Sequence, residues 1–416
     1  MGWPGHGIEI AEKKSRLKAL VVIFEQLVPI SGGGTPRTFN IVRSLADRGH
    51  QVYVAASFGV DKAEAMRELG VAGILPLAGV SRMDKAKMRK YAVTYPLNIL
   101  RVATYAWRLG PDLILTHNTA AGFAALLGKL LRPRTVTVVD LTDLLFEYLQ
   151  DYKGRWLKLA AAAGRWMERT AVRRSDRIIT ISQAMKAILV RDYRARAERI
   201  DIVHDGVDTR IFHRQEAADL RAAHAADAEH VLIFHGVIDP QDGPELLIEA
   251  APAILAAHPR TRFWMVGDGT AVPGLKARAE AAGLASRFYF SGWVRQAEVA
   301  RYIAASDLGL VILPDVLSAR GRVTLKEFEY WACGVPAVLP RLPALQEVVG
   351  DEAASLFYTP GDAADLAAKV NTVLADDARR QEMGQVGEKR VQEQFEWRAL
   401  TGEIARLCEG YAVRGR

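Results

Sequence analysis

Lys326 and Glu329 stand three residues apart inside the stretch TLKEFEYWACGVP, residues 324–336. On a helix that spacing puts both on one side. There the ammonium can meet a phosphate as a compact point charge, and the carboxylate can accept hydrogen bonds from hydroxyls. The bland alternative is a surface ion pair. Gly32, Gly33 and Gly34 follow the first apolar run of the chain. Glycines there let backbone N–H groups approach a phosphate, and a following helix N-terminus favours negative charge. A plain strand-to-helix turn would need the same glycines, and the dinucleotide pattern GxGxxG is absent. Asp140, Thr142, Asp143 and Glu147 lie in DLTDLLFE. Carboxylates in such a turn can orient or deprotonate a hydroxyl or cap the next helix; the functional reading is preferred for Asp143 alone. His117 closes an apolar run, where a lone histidine is most often buried and satisfied. It is carried with Asp143 as a catalytic candidate.

These residues need elements to hold them. Leu20–Phe24 is apolar throughout, as a parallel strand buried on both faces would be. Phe39–Arg48 has helical spacing and stops before Gly49. Strands are expected at Val52–Ala56, Leu113–Thr116, Val136–Val139 and Arg177–Ile181. The second half repeats the alternation, with strands at Val231–His235, Arg262–Val266, Phe288–Ser291, Leu308–Ile312 and Ala337–Leu339. Strands alternating with helices predict an α/β protein with two doubly wound parallel-sheet domains facing across a cleft, with ligands beyond the carboxyl ends of the strands. The expected domains are 1–210 and 211–395, with the boundary between 205 and 228. A terminal helix in 396–416 is expected to pack back on the first domain.

The 416 residues suit two such domains, and a composition half apolar and a quarter charged excludes fibrous, disordered and disulfide-rich classes. Cys333 and Cys408 lack metal-ligand partners at short spacing, so no metal site is expected. Two free thiols and a polar stretch over 1–16 without an apolar core predict a cytoplasmic protein. Charge is uneven: residues 1–210 hold 33 Lys and Arg against 20 Asp and Glu, the remainder 22 against 28. A basic first half points to an anionic surface. No nucleic-acid motif accompanies it. Residues 82–108 mix Arg82, Lys85, Lys87, Arg89 and Lys90 with Tyr91, Tyr95, Leu100 and Trp107, and a second basic run spans Arg165–Arg177. That mixture suits contact with an anionic membrane at its inner face; a solvated basic helix face is the alternative.

Seven segments in order resemble the family 4 glycosyltransferases of the two-Rossmann (GT-B) fold: LADRGHQVYV (45–54), PDLILTHNTAAGFAALL (111–127), SDRIITISQAMKAIL (175–189), IVHDGVDTRIF (202–212), MVGDGTAVPGLKARAEAAGL (265–284), FYFSGWVRQAEVARYIAASDLGLVIL (288–313) and TLKEFEYWACGVPAVLP (324–340). The resemblance implies transfer of a sugar from a nucleotide-sugar donor to a lipid-linked or saccharide acceptor, with retention and without a metal or other cofactor. It implies that Gly33 and Gly34 lie over the donor diphosphate and that Glu329 holds the ribose hydroxyls. Lys326 and the neighbouring Leu325 would face the donor. Asp268, Trp293 and Val294, in the GDG and GWV turns, would border the base.

Four positions depart from the family pattern. Gly321 stands where a glutamate meets the transferred sugar, Val237 and Asp242 replace two cations of the GRLxxxKG turn, and Thr142 replaces a histidine. Arg320, Arg322 and Lys326 are expected to cluster and supply the missing positive charge. The alternatives are an epimerase or phosphorylase of the same fold, or a relative that binds without catalysing.

Overall fold

The computed structural model describes residues 16–30, 34–78, 88–144, 146–147 and 155–414. In the first domain the strands are β1 (Lys18–Val28), β2 (Gln51–Phe58), β3 (Gly73–Pro76), β4 (Leu113–His117), β5 (Val136–Leu141), β6 (Arg177–Thr180) and β7 (Ile200–Ile202). They form a seven-stranded parallel sheet in the order β3-β2-β1-β4-β5-β6-β7. The helices between them are α1 (Thr35–Asp47), α2 (Lys62–Leu69), α3 (Met88–Leu109), α4 (Asn118–Leu131), α5 (Arg155–Arg174) and α6 (Gln183–Arg191).

The second domain includes α7 (Ala218–Ala225), whose Ala225 shares a core with Phe212, Val231 and Trp264. Its strands are β8 (His230–Val237), β9 (Thr261–Asp268), β10 (Phe288–Gly292), β11 (Leu308–Leu310), β12 (Ala337–Pro340) and β13 (Ser355–Tyr358), in the order β10-β9-β8-β11-β12-β13. The accompanying helices are α8 (Glu245–Ala257), α9 (Val272–Ala281), α10 (Gln296–Ala304), α11 (Leu317–Gly321), α12 (Lys326–Ala332), α13 (Pro343–Val349), α14 (Ala363–Leu374), α15 (Asp377–Gln394) and α16 (Trp397–Arg414).

The apolar runs fold this way because both sheet faces are covered. In β1, Ala19, Val21 and Ile23 enter the core under α1 and α2. Leu20, Val22 and Phe24 enter the core under α3, α4 and α5. This is the two-residue alternation of a strand buried on both sides. β8 does the same in the second sheet, dividing Val231 and Ile233 from Leu232 and Phe234.

The strands β3, β7 and β13 have no counterpart in the sequence reading. Each is an edge strand of four residues or fewer, too short to show a period. The chain crosses between domains twice, and the crossings are joined: Val207 N–H donates to the Phe395 carbonyl and Trp397 N–H to that of Val207. After the return, α16 lays Trp397, Ile404, Ala405 and Cys408 into the same core as Ile41 and Leu45 of α1. Arg48 and His50 bond its Glu409 at 2.7 and 2.8 Å.

The first domain therefore depends on the chain terminus for part of its core. Ile404→Ala should destabilise that domain by about 2–5 kcal/mol, read as a lower denaturant midpoint. Val413→Ala on the exposed side of the same helix should stay within about 0.5 kcal/mol. Equal behaviour of the two would mean that α16 contributes no core.

Candidate active site

A cleft of about 420 Å³ lies between the two sheets, within the size range of small-molecule sites. The first domain lines it with Gly34, Arg37, His117 and Asp143, and the second with Val237, Asp242, Arg322 and Glu329, among others.

On the first-domain side, α1 starts against the end of β4. A Cβ on Gly34 would lie 2.3 Å from His117 Nε2, so only glycine lets the loop pass over the imidazole. His117 Nδ1 lies 4.0 Å from the Asp140 carboxylate and Nε2 lies 3.1 Å from Asn118 Nδ2. Burial pulls this imidazole toward its neutral form, but Asp140 and Glu25 outweigh it and the pKa is raised.

Arg37, wholly buried, is the hub of this wall. Its Nε donates to both Asp140 oxygens at 2.9 and 3.0 Å, and its Nη1 donates to Asp205 at 3.1 Å and to the His204 carbonyl at 2.8 Å. Burial opposes ionisation of Asp140, yet Arg37 and His117 hold its pKa below the usual carboxylate value. Asp205 goes the other way: burial raises it more than Arg37 lowers it.

Asn118 has a left-handed backbone, φ 58°, that few side chains adopt. Its Oδ1 accepts from the N–H groups of Thr142 and Asp143 at 3.1 and 3.3 Å. Thus one residue from the start of α4 holds the turn after β5. The Asp143 carboxylate faces the cleft and also accepts from Leu144 N–H at 2.8 Å. Glu147 does not line the cleft. It receives the Tyr193 hydroxyl at 3.3 Å, and the same hydroxyl donates to Glu168 at 2.9 Å.

On the second-domain side, α12 presents Lys326 and Glu329 to the cleft beside the end of β8. His235 Nε2 lies 3.2 Å from the Glu329 carboxylate. Burial raises Glu329 to about 8, against the opposing pull of Lys326. Burial and the Lys326 ammonium both push His235 well below its ordinary value, so it is neutral. Glu327 points inward, accepts from Thr324 N–H at 2.9 Å and from the Thr324 hydroxyl, and braces the turn that leads into α12.

The expected cation cluster is corrected at Arg320. That side chain is exposed and donates to Asp315 at 2.6 and 3.0 Å, away from the cleft. Arg322 does line the cleft, but Asp242 accepts from it at 2.7 Å and lies 3.9 Å from Lys326. Asp268 is also corrected: its carboxylate turns back to Gly269 N–H at 2.8 Å, outside the lining. Gly267 occupies the cleft instead. Its φ of 134° and a Cβ position 2.0 Å from the Gly236 carbonyl leave no room for a side chain. Trp293, Val294 and Leu325 line the cleft, and Gly33 lies outside the described residues.

Gly321 is closely packed. A Cβ there would meet Met185 Cε at 3.0 Å and Ile188 Cδ1 at 3.1 Å, and Ser182 Oγ donates to its carbonyl at 2.9 Å. The position faces the seam between α11 and α6, not the cleft.

The family described as Glycosyltransferase Family 4 matches residues 31–211, and the family described as Glycosyl transferases group 1 matches residues 229–376. The chain belongs to the family 4 glycosyltransferases. A D-inositol 3-phosphate glycosyltransferase of Segniliparus rotundus is 30% identical over 235 residues, 55% of this chain and 51% of that protein. The chain thus aligns with about half the length of that curated relative. In fold, this glycosyltransferase resembles the sucrose-phosphate synthase of Thermosynechococcus elongatus. The TM-score is 0.76 at 20% identity, over 96% of this chain and 100% of the other. It also resembles Anabaena HepE in complex with UDP-glucose, with TM-score 0.73 at 20% identity, over 95% and 100% of the chains.

For this family 4 glycosyltransferase, the sequence reading missed Arg37, Asp205, His235 and the bracing Glu327. One signal was present: Asp140 ends an apolar strand, and a carboxylate there requires a counterion. Arg37→Met leaves Asp140 and Asp205 buried with only the His117 imidazole beside them and should cost about 3–5 kcal/mol near neutral pH. The loss should shrink as pH falls, because the stranded carboxyls then take up protons in the folded state. Chemical denaturation at several pH values checks this; a pH-independent loss would mean that the ion network is not its source.

Proposed function

We propose that the chain transfers a sugar from a nucleotide-sugar donor to a hydroxyl of a lipid-linked or saccharide acceptor, with retention at the transferred carbon. The observation that carries the reading is the buried Glu329 carboxyl facing an interdomain cleft beside Lys326 and Arg322. Glu329 accepts from the ribose diol, Lys326 and Arg322 meet the diphosphate, and Trp293 and Val294 border the base. Asp143 and His117 face the sugar from the opposite wall. The bond from the sugar to the diphosphate breaks and the diphosphate departs with the electron pair, a bond to the acceptor oxygen forms, and the acceptor proton passes to the Asp143 carboxylate. The cations of the chain take up the phosphate charge, and no metal ion is required.

Asp242 shapes this subsite. A diphosphate entering the cleft meets two cations already sharing one carboxylate, so its arrival must redistribute the Arg322 and Lys326 contacts. Electrostatic stabilisation of the leaving diphosphate is the main term available to such a site.

Lys326→Ala should weaken a nucleoside diphosphate much more than the matching nucleoside, and equal losses would place Lys326 away from the phosphates. Glu329→Ala should weaken both, by about 1.5–3 kcal/mol for charge-assisted hydrogen bonds. Activity separates the alternatives: an epimerase would interconvert the donor with no acceptor present, and a non-catalytic relative would leave it unchanged.

The pH dependence has a definite sign. Burial raises the Glu329 carboxyl to about 8, so it is protonated at neutral pH. Ribose hydroxyls donate to the ionised form and lower that value, so nucleotide binding should release a proton and tighten as pH rises from about 6 to 8. Calorimetry in buffers of different ionisation enthalpy measures the released proton. Release undiminished in Glu329→Gln would assign it to another group.

A further inference from the structure

The helices α3, α4 and α5 form one layer over a face of the first sheet, with α4 between the other two. Their inner sides fill the core through Val102, Ala106, Ala121, Ala124 and Ala161. Their outer sides carry large apolar groups that nothing covers. Leu100 is 63% exposed, Trp107 52%, Leu130 75% and Trp166 60%, with Leu131 and Leu159 exposed beside them. Most of the exposed large apolar side chains among the described residues belong to this one layer.

The charge of the layer is as one-sided as its polarity. Among the described side chains of the three helices there are eight Lys and Arg and a single carboxylate, Glu168. Glu168 is fully buried, receiving Thr119 Oγ at 3.0 Å and Tyr193 at 2.9 Å, so it offers no negative charge outward. The layer on the opposite sheet face, α1, α2 and α16, mixes seven cations with five carboxylates. The basic excess of the first domain therefore collects on one surface. At the rim, Lys129 is held by Asp176, and Arg132 donates to the Trp107 carbonyl at 2.8 Å, fixing the end of α4 against α3.

We infer that the outer face of α3, α4 and α5 docks on an anionic lipid bilayer. Leucine and tryptophan side chains entering the headgroup boundary, with arginines among them, are the chemistry of an interfacial surface. A nucleic acid would engage the cations but leave Leu130 and Leu131 in water. A second copy of the layer would set cations against cations. Among the described residues no helix is long and apolar enough to cross a membrane. The face reaches the cleft: α4 begins at Asn118, which lines it, and runs 14 residues toward the rim, about 21 Å at 1.5 Å per residue. The inference does not rest on sugar transfer.

The test uses the full chain and vesicles of phosphatidylcholine, alone or mixed with phosphatidylglycerol, in co-sedimentation at low and high salt. Wild type should bind the anionic vesicles at low salt and retain part of that binding at high salt. The variant R101Q/R108Q/R169Q should bind them on the order of a hundredfold more weakly at low salt, from about 1 kcal/mol per cation near such a surface. The variant L100S/W107S/L130S should lose the salt-resistant part. The control R260Q/R278Q, exposed cations of the second domain, should bind as wild type. Matching thermal melts establish that the variants fold. No binding of wild type to anionic vesicles at low salt overturns the inference, as does wild-type binding by both layer variants. Binding of single-stranded RNA through the same arginines without vesicle binding overturns it in favour of a nucleic acid. A wild-type dimer that the apolar variant dissociates, again without vesicle binding, overturns it in favour of a second copy.

Discussion

One buried guanidinium organises the first-domain wall of the cleft. Arg37 comes from the first turn of α1, Asp140 from β5, and Asp205 with the carbonyls of Val203 and His204 from the chain leaving for the second domain. A buried arginine is tolerable only when its charge and donors are met, and here the partners are two carboxylates and two carbonyls. Meeting them fixes where α1 begins, and hence where the Gly34 loop crosses His117. The same requirement sets the exit of the interdomain crossing, which Val207 then pins to the returning chain at Phe395.

The second-domain wall is set by a different balance. Asp242, Arg322 and Lys326 share charge at the mouth of the cleft, while Glu329 and neutral His235 lie deeper. Burial dominates at depth and holds Glu329 in its protonated form at neutral pH. Nearer the mouth, Asp242 lies 2.7 Å from Arg322 and 3.9 Å from Lys326.

The fold was legible to a large degree because both sheets are buried on two faces, and such strands announce themselves as apolar runs. β1, β4, β5 and β8 were read in nearly the right places; the short edges β3, β7 and β13 were not, having too few residues to carry a pattern. In the site, Lys326, Glu329, His117, Asp143, Trp293, Val294, Leu325, Gly34 and Arg322 come together around the cleft. Arg320 and Asp268 do not, and sequence distance could not have shown it. Arg320 is two residues from Arg322, yet the end of α11 sends one side chain to Asp315 and the other to Asp242.

By itself, the sequence determined the two α/β domains, their order, and a set of polar residues at strand ends, because periodicity and burial leave a direct record in residue type. The tertiary structure alone decided which charges meet. Arg37 and Asp140 are 103 positions apart, Asp242 and Arg322 are 80 apart, and Arg48 and Glu409 are 361 apart. Electrostatic partners are chosen by distance in space and by what solvent is excluded, and neither is written in local order. The gap at Gly321 has the same character. In the sequence it is a missing carboxylate, but in the folded chain a side chain there would press on Met185 and Ile188 of the other domain.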